Sequence, residues 1–255
     1  MLEEFFIYMK ALEQDRQITV YLPETYQTGD KHYPVLYMHD GQNVFEDASA
    51  INGVSLGMKQ YLDKTCMDIV VVAINQNSEE RINEYCPWGH GPLSREILGF
   101  DCPLGGKGEA YLEFIVHELK PFIDKKYRTI PAETAMAGIS LGALISTYAA
   151  CRYPTIFKKI AALSPAYYRN QEAIEKLLNG SELSSVEKFY MDIGTREVPD
   201  NVSESELFVD LSKRVYEIVS SKIGNSQFTE IINAEHHYRF FRERIPAMLA
   251  YLFSE

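Results

Sequence analysis

The run of six apolar residues from Ile69 to Ile74 constrains the fold of this chain more than any other segment. Five of the six are β-branched, which favours an extended strand. Successive side chains of a strand point to opposite faces, so an unbroken apolar run must be buried on both. Such strands occur inside mostly parallel sheets that helices cover on both faces. The segment therefore predicts an α/β fold.

Segments with strand and helix patterns alternate along the rest of the chain. The predicted strands are Glu4–Met9, Arg16–Leu22, Tyr33–His39, Ile69–Ile74, Thr134–Ile139, Lys159–Ser164, Val186–Ile193 and Phe228–Asn233. The predicted helices are Ser55–Lys64, Glu109–Asp124, Leu141–Arg152, Gln171–Leu178, Glu204–Ser221 and Arg239–Phe253. The first two strands are expected to pair antiparallel, and the later alternation predicts right-handed parallel crossovers. We expect one domain, residues 1–255, with a long structureless loop at Asn75–Lys107 that contributes to function.

Charge and composition exclude several classes of partner. The chain carries 25 Lys and Arg against 36 Asp and Glu, a formal charge of −11, which disfavours nucleic acid and anionic membrane as partners. No secretory segment or membrane-length apolar run is present, so we expect a cytoplasmic protein. A small-molecule partner is expected, and a homo-oligomer is one option that the sequence leaves open.

The four cysteines show no metal-ligand spacing, and we expect neither a metal nor an organic cofactor. Reduced thiols are the simpler interpretation, although the sequence leaves a Cys86–Cys102 bridge open.

The segment Gly138-Ile139-Ser140-Leu141-Gly142 lies between a predicted strand and a predicted helix. A sharp strand-to-helix turn of this type exposes a serine hydroxyl above a sheet. Serine is a weak nucleophile and needs a neighbouring base to accept its proton. Ser140 is therefore the predicted nucleophile, and the alternative is an ordinary strand–turn–helix corner.

Catalytic side chains of open α/β sheets follow the carboxyl ends of strands, and this rule selects the partners of Ser140. His236 and His237 follow the last predicted strand. Glu197 and Asp200 follow the strand before it, and the residues alone leave the choice between them open; Asp192 is expected to have a local structural role. Serine, acid and histidine then occur in the chain order of an α/β-hydrolase triad.

A serine nucleophile also needs donors for the oxyanion that forms on the substrate. The amide that follows the nucleophile usually supplies one, here that of Leu141. The loop after the third predicted strand, with Asp40-Gly41-Gln42, is expected to supply the amide of Gln42. The alternative for this loop is a plain Asp-Gly turn.

Taken together, these residues resemble the "putative esterase" family of α/β-hydrolases, which includes esterase D-like, feruloyl esterase and siderophore esterase proteins. The matching pieces are Ile18–Pro23, Tyr33–Asn43, Arg81, Glu84-Tyr85, Gly106–Gly108, Leu119–Pro121, the Ser140 turn, Asp192–Glu197 and Glu235-His236. The resemblance implies an α/β-hydrolase fold with a triad of Ser140, Glu197 and His236, and oxyanion donors at Gln42 and Leu141.

The implied activity is that of a serine carboxylic-ester hydrolase acting on a small acyl or aromatic, feruloyl-like ester. The candidates for contacting the substrate are Trp88, Tyr85, Tyr167, Tyr168 and Arg81, of which Arg81 could instead tie its loop to a carboxylate. A siderophore trilactone esterase and an acyltransferase are alternatives within the same chemistry. A non-catalytic binding module with a hydrolase fold is the alternative from another class.

Overall fold

The computed structural model describes residues 1–254, which form one eight-stranded sheet. The strands are β1 (Leu2–Met9), β2 (Gln14–Tyr21), β3 (Tyr33–Met38), β4 (Val70–Ile74), β5 (Thr129–Ile139), β6 (Phe157–Leu163), β7 (Lys188–Gly194) and β8 (Ser226–Ile231). They are ordered β1-β2-β4-β3-β5-β6-β7-β8. β1 and β2 pair antiparallel, as does β2 with β4, and every later pair is parallel. The predicted α/β class and the antiparallel N-terminal pair are confirmed.

Helices cover both faces of the sheet. They are α1 (Met58–Thr65), α2 (Arg81–Tyr85), α3 (Pro92–Leu98), α4 (Gly108–Phe114), α5 (Lys120–Lys126), α6 (Leu141–Arg152), α7 (Gln171–Gly180), α8 (Val202–Lys222) and α9 (Tyr238–Phe253). The interior strand β4 shows how the two faces divide. Val70, Val72 and Ile74 enter the core beneath α4 to α8, whereas Val71 and Ala73 enter the core beneath α1 and α9. This strand is buried on both sides, as its apolar run predicts.

The prediction that Asn75–Lys107 lacks regular structure is wrong, because α2 and α3 lie within it. Pro92 occupies the first turn of α3, where no intrahelical partner for an amide is needed. Gly99 ends the same helix in the left-handed conformation, with φ of 72°. Proline and glycine therefore mark the two ends of a short helix here.

The predicted helix Glu109–Asp124 contains a change of helix type. Residues Ile115–Leu119 form a π-helical turn between α4 and α5. Pro121 lies two residues after this turn, and a proline ring crowds the carbonyl four residues earlier in an α-helix. Apolar periodicity alone predicts the helix but not this wider turn.

The carboxyl ends of the parallel strands bring the candidate residues to one edge of the sheet. Gln42 follows β3, Ser140 follows β5, Glu197 follows β7 and His236 follows β8. Because β5, β6, β7 and β8 are consecutive neighbours, the last three of these residues share a small region. This edge is where open α/β sheets bind their ligands.

Candidate active site

Ser140 occupies a strained turn between β5 and α6. Its backbone has φ of 60° and ψ of −119°, a combination that side-chain-bearing residues rarely adopt. Its amide donates to the Leu163 carbonyl at 3.0 Å, and its carbonyl accepts from the Ala166 amide at 3.0 Å. The last residue of β6 and the loop after it therefore hold the two sides of the turn. Strain of this kind persists only where the surrounding structure enforces it, and it is typical of functional sites.

The two glycines beside Ser140 allow the turn because the chain passes very close to itself. A Cβ atom on Gly138 would lie 2.2 Å from the carbonyl carbon and oxygen of Gly142. A Cβ atom on Gly142 would lie 3.2 Å from the Cβ of His39. The first position therefore excludes any side chain, and the second is tight.

Glu197 and His236 form a hydrogen-bonded pair beside this turn. Glu197 Oε2 lies 2.5 Å from His236 Nδ1, and the carboxylate side chain is only 2% exposed, against 39% for the imidazole. The amide of Arg196 donates to the Ala234 carbonyl at 3.0 Å, which joins the loops that carry the pair. A Cβ atom on Gly194 would lie 2.2 Å from that same carbonyl, so these loops are in direct contact.

The surroundings of Glu197 favour its ionised form. Burial raises the pKa of this carboxyl, but the hydrogen bond and charge of His236 and the hydrogen bonds from Ser164 and Gly194 outweigh it, so its pKa is below the ordinary value. Oε1 accepts from the Ser164 hydroxyl at 2.5 Å and from the Gly194 amide at 2.6 Å. An ionised carboxylate only accepts, so the imidazole proton lies on His236 Nδ1. His236 Nε2 is then left to accept a proton.

Ser140 and His236 line the same two cavities. Within residues 1–254 no direct hydrogen bond joins the Ser140 hydroxyl to the imidazole. Nucleophile and base contacts are often long in ligand-free enzymes and shorten when substrate binds. The three side chains predicted from the sequence therefore converge. Glu197 and His236 are hydrogen-bonded to each other, whereas Ser140 and His236 make no direct hydrogen bond.

The sequence predicts two backbone amides, those of Gln42 and Leu141, as oxyanion donors. Among residues 1–254 neither the Gln42 amide nor the Leu141 amide donates to a protein acceptor. The Gln42 side chain exchanges two hydrogen bonds with the Gln76 backbone, at 2.7 and 2.9 Å. A Cβ atom on Gly41 would lie 2.7 Å from the Asn75 amide nitrogen. The loop after β3 is thus held tightly against the end of β4, which fixes the Gln42 amide.

The other candidates for the acid and the base make different contacts, although His237 lines one of the two cavities that Ser140 lines. Asp200 is exposed on the surface. His237 accepts from the Arg239 amide at 3.1 Å and caps the first turn of α9. Asp192 is fully buried within β7, 3.0 Å from Arg244 Nη1. Burial raises the pKa of Asp192 to about 6, although Arg244 and Tyr190 act in the opposite direction.

The two cavities that meet at Ser140 differ in chemistry. We call the first, of about 350 Å³, the Arg81 cavity; its polar lining includes Asp40, Asn43, Gln76, Arg81 and Tyr238. We call the second, of about 220 Å³, the Phe208 cavity; its lining includes Pro165, Tyr168, Ile193, Val198 and Phe208. Tyr168 and Phe208 stack with ring centroids 5.0 Å apart. The Arg81 cavity therefore has the more polar lining, although Ile51, Val54, Ile139 and Phe241 also line it, and the Phe208 cavity is the more apolar of the two.

The aromatic residues proposed to contact substrate divide into two sets. Tyr168 lines the Phe208 cavity. Tyr85 and Tyr167 are fully buried in the core, where Tyr167 bonds to Thr147 at 2.7 Å, and neither lines these two cavities. Trp88 is half-buried against Tyr148 and lies outside both cavities as well. Apolar composition alone does not separate core aromatics from aromatics that line a cavity.

Arg81 lines the Arg81 cavity but already has a carboxylate partner. Its guanidinium donates to both oxygens of Asp40, at 2.7 and 2.8 Å. The Asp40 amide in turn donates to the Tyr85 hydroxyl at 3.1 Å. This arrangement matches the alternative that Arg81 ties its loop to a carboxylate.

Sequence reasoning, which places the Ser164–Tyr168 loop at the pocket, assigns no individual role to three residues of the site. Ser164 directly follows β6, so the strand-end rule that selects Ser140 could have found it. Arg244 and Phe208 lie on α9 and α8, far along the chain from any strand end, and no local signal distinguishes them.

The four cysteines are free, so no Cys86–Cys102 bridge forms. Within residues 1–254 no three His, Cys, Asp or Glu side chains group as a metal site requires, and no helix there is long and apolar enough to span a membrane.

Comparison with known proteins agrees with this geometry. Residues 9–252 match the family model described as "Putative esterase". The chain belongs to this family of ester hydrolases. It is 28% identical over 247 residues to the uncharacterized protein YbbA of Bacillus subtilis, covering 94% of each chain. The resemblance inferred from the motifs is thereby confirmed.

Solved structures share the fold. An IroE-like serine hydrolase from Shewanella oneidensis is 18% identical, with a TM-score of 0.79, and the alignment covers 97% of this chain and 79% of that one. The siderophore hydrolase EstA from Aspergillus nidulans is 20% identical, with a TM-score of 0.78, covering 100% and 95%. The predicted α/β-hydrolase fold is confirmed.

Proposed function

We propose that this esterase is a serine carboxylic-ester hydrolase that works through an acyl-enzyme on Ser140. One observation carries the proposal: a serine in a strained strand-to-helix turn shares its cavities with a histidine that is bonded to a buried carboxylate. Each element has a defined part in acyl transfer, and their chain order is that of an α/β-hydrolase triad.

In the first half of the reaction, Ser140 Oγ attacks the ester carbonyl carbon while His236 Nε2 accepts the hydroxyl proton. The carbonyl oxygen becomes an oxyanion, and the amides of Gln42 and Leu141 stabilise it. Glu197 stabilises the imidazolium and keeps the ring oriented. The bond to the alcohol oxygen then breaks, and the imidazolium protonates the leaving alcohol.

In the second half, a water molecule gives its proton to His236 and attacks the acyl-enzyme carbonyl. The same two amides stabilise the second oxyanion. Ser140 Oγ leaves with the proton from His236, and the carboxylic acid is released. An alcohol in place of water would give acyl transfer, which the same residues could perform.

We propose that the substrate carries an apolar or single-ring aromatic acyl group that enters the Phe208 cavity. Its volume of about 220 Å³ is below the range typical of drug-sized ligands. The stacked Tyr168 and Phe208 rings offer an aromatic surface for such a group. The polar part of the ester would then face the Arg81 cavity.

Charge argues against a strongly anionic siderophore as the preferred substrate. Of the basic side chains in the long loop, Arg95 pairs with Asp101 and Lys107 with Glu80. Arg81 is the one Lys or Arg that lines either cavity within the described residues, and Asp40 already neutralises it. An anionic ligand would gain little from this surface.

The nucleophile is tested by Ser140→Ala, with Ser220→Ala as a matched control on the exposed face of α8. We expect Ser140→Ala to lose hydrolysis of p-nitrophenyl acetate and labelling by a fluorophosphonate probe, because both need the hydroxyl. The control should keep both. Full activity in Ser140→Ala would refute the serine mechanism, and an unlabelled, inactive wild type would indicate a non-catalytic binding module.

The substrate is tested with p-nitrophenyl esters that differ only in the acyl group, from acetyl through butyryl to a phenylpropenoyl group. We expect Phe208→Ala to lower kcat/KM for the aromatic ester more than for acetate. Phe100→Ala, at a phenylalanine that is 60% exposed, should leave the ratio unchanged. Preference for a catechol trilactone over every simple ester would instead support the siderophore alternative.

A further inference from the structure

Ser164 connects the candidate acid to a buried arginine. It directly follows β6, is 2% exposed, and has φ of 41°, a strained value for a residue with a side chain. Its amide donates to the Asp192 carbonyl at 2.8 Å, which fixes its backbone against β7. The Ser164 hydroxyl lies between Glu197 and Arg244, at 2.5 and 2.7 Å.

The chemistry of these groups fixes the direction of each hydrogen bond. A guanidinium can only donate, so Arg244 Nη1 donates to Ser164 Oγ and also to Asp192 Oδ1, at 3.0 Å. The Ser164 hydroxyl has a single proton, and in its contact with Arg244 the Ser164 oxygen is the acceptor. That proton must therefore point to Glu197 Oε1.

Glu197 thus has donors on both oxygens. Oε1 accepts from the Ser164 hydroxyl and the Gly194 amide, and Oε2 accepts from His236 Nδ1. Without Ser164, Oε1 would keep one donor, and the buried carboxylate would be stabilised less. The orientation of the carboxylate would also be less restricted.

The burial of Arg244 indicates a role other than stabilising the folded protein. Its side chain is 2% exposed, and among the described residues its Nε and Nη2 atoms have no acceptor. A buried ion pair contributes little to stability, because the loss of hydration opposes the attraction between the charges. Of the three guanidinium nitrogens, Nη1 is the one with acceptors among the described residues, and these are Ser164 and Asp192.

We propose that Ser164, oriented by Arg244, is a positioning residue that keeps Glu197 ionised and aimed at His236. This inference rests on the proposed roles of Ser140, Glu197 and His236. Arg244 acts three hydrogen bonds away from the histidine, through Ser164 and Glu197, and Asp192 balances its charge inside the protein.

The test compares Ser164→Ala, Arg244→Met and the double variant on p-nitrophenyl acetate. We expect kcat to fall about 10-fold to 100-fold in Ser164→Ala with little change in KM, since one hydrogen bond to a charged group is lost. Arg244→Met should have a smaller effect of the same kind, and the double variant should resemble Ser164→Ala because both changes act through one hydroxyl.

The pH profile separates positioning from a general structural role. Loss of the Ser164 donor should raise the pKa of Glu197 from its lowered value, so protonation of this carboxylate should add to the loss of kcat/KM in acid and move the acid limb to higher pH. Ser212→Ala is the matched control, because Ser212 is 1% exposed in α8 and its hydroxyl has no partner among the described residues. It should change neither kcat nor the profile.

Fluorophosphonate labelling distinguishes failure of this inference from failure of the proposed function. A wild type that labels at Ser140, together with Ser164→Ala that has unchanged kcat and an unchanged acid limb, would overturn the positioning role alone. An unlabelled wild type would overturn the serine mechanism itself. If Arg244→Met does not fold, Ser164→Ala alone decides, because it removes only one oxygen atom.

Discussion

Acid should destabilise this protein in part through the buried histidine His39. Its ring is 3% exposed and packs against Tyr85 and Tyr111, with Nδ1 2.9 Å from the Tyr111 hydroxyl. The pKa of His39 is lowered from 6.5 to about 4, chiefly by burial; the Asp40 charge opposes this change and the Arg81 charge adds to it. The folded protein therefore holds this ring neutral.

The sign and size of the effect follow from proton linkage. Between about pH 6.5 and about pH 4 the unfolded chain binds a proton at His39 that the folded protein does not bind. The stability associated with the neutral ring is fully present above pH 6.5 and is lost as pH falls towards 4. At about 1.4 kcal/mol per pKa unit, the loss amounts to about 3 kcal/mol.

The assay is urea unfolding of the wild type and His39→Gln at several pH values from 7 to 4. A glutamine does not titrate, so the free energy of unfolding of the wild type should fall by about 3 kcal/mol more than that of the variant. His32→Gln serves as the control, because His32 is exposed. Parallel losses of stability in the wild type and His39→Gln would refute the reasoning.

Three further substitutions test the proposed acid Glu197, the turn around Ser140 and the first turn of α8. Glu197→Gln should lower kcat/KM by about 10²-fold to 10⁴-fold, measured with p-nitrophenyl acetate, because an amide cannot accept from all three of its present donors. Gly138→Ala should destabilise the fold by more than about 2 kcal/mol in urea unfolding, since its Cβ would overlap the Gly142 carbonyl; an unchanged midpoint would contradict the close approach. Asn201→Ala should cost about 1 kcal/mol while activity persists, because its side chain caps α8 at the Glu204 amide.

Much of the fold follows from local pattern. The helix Leu141–Arg152 has the predicted bounds, and each predicted strand overlaps an observed one. These elements have continuous apolar faces, so the spacing of their apolar residues predicts that they are buried. The short helices in Asn75–Lys107 could not be predicted, because five or seven residues are too few to show a helical period.

The site residues were predictable to the extent that they follow strands. Ser140, Glu197 and His236 each follow a strand of the parallel sheet, and topology alone brings such positions together. Arg244 contacts the site from the middle of α9, and its contact depends on how that helix packs. The candidates Tyr85 and Tyr167 are buried core residues for a related reason, because side-chain type does not reveal which aromatics the core encloses.

The order of strands has a consequence for engineering. Residues up to the end of α7 carry the nucleophile and both proposed oxyanion amides, whereas the acid and the base come from β7 onwards. The connection between the two parts includes the exposed Glu182 and Ser184, a type of segment that tolerates cleavage or insertion. Two separately produced pieces divided there would each hold an incomplete set of the proposed catalytic groups. They could hydrolyse a reporter ester only after β6 of one piece pairs with β7 of the other. The natural scaffold thus offers a ready junction for a split reporter of protein–protein association.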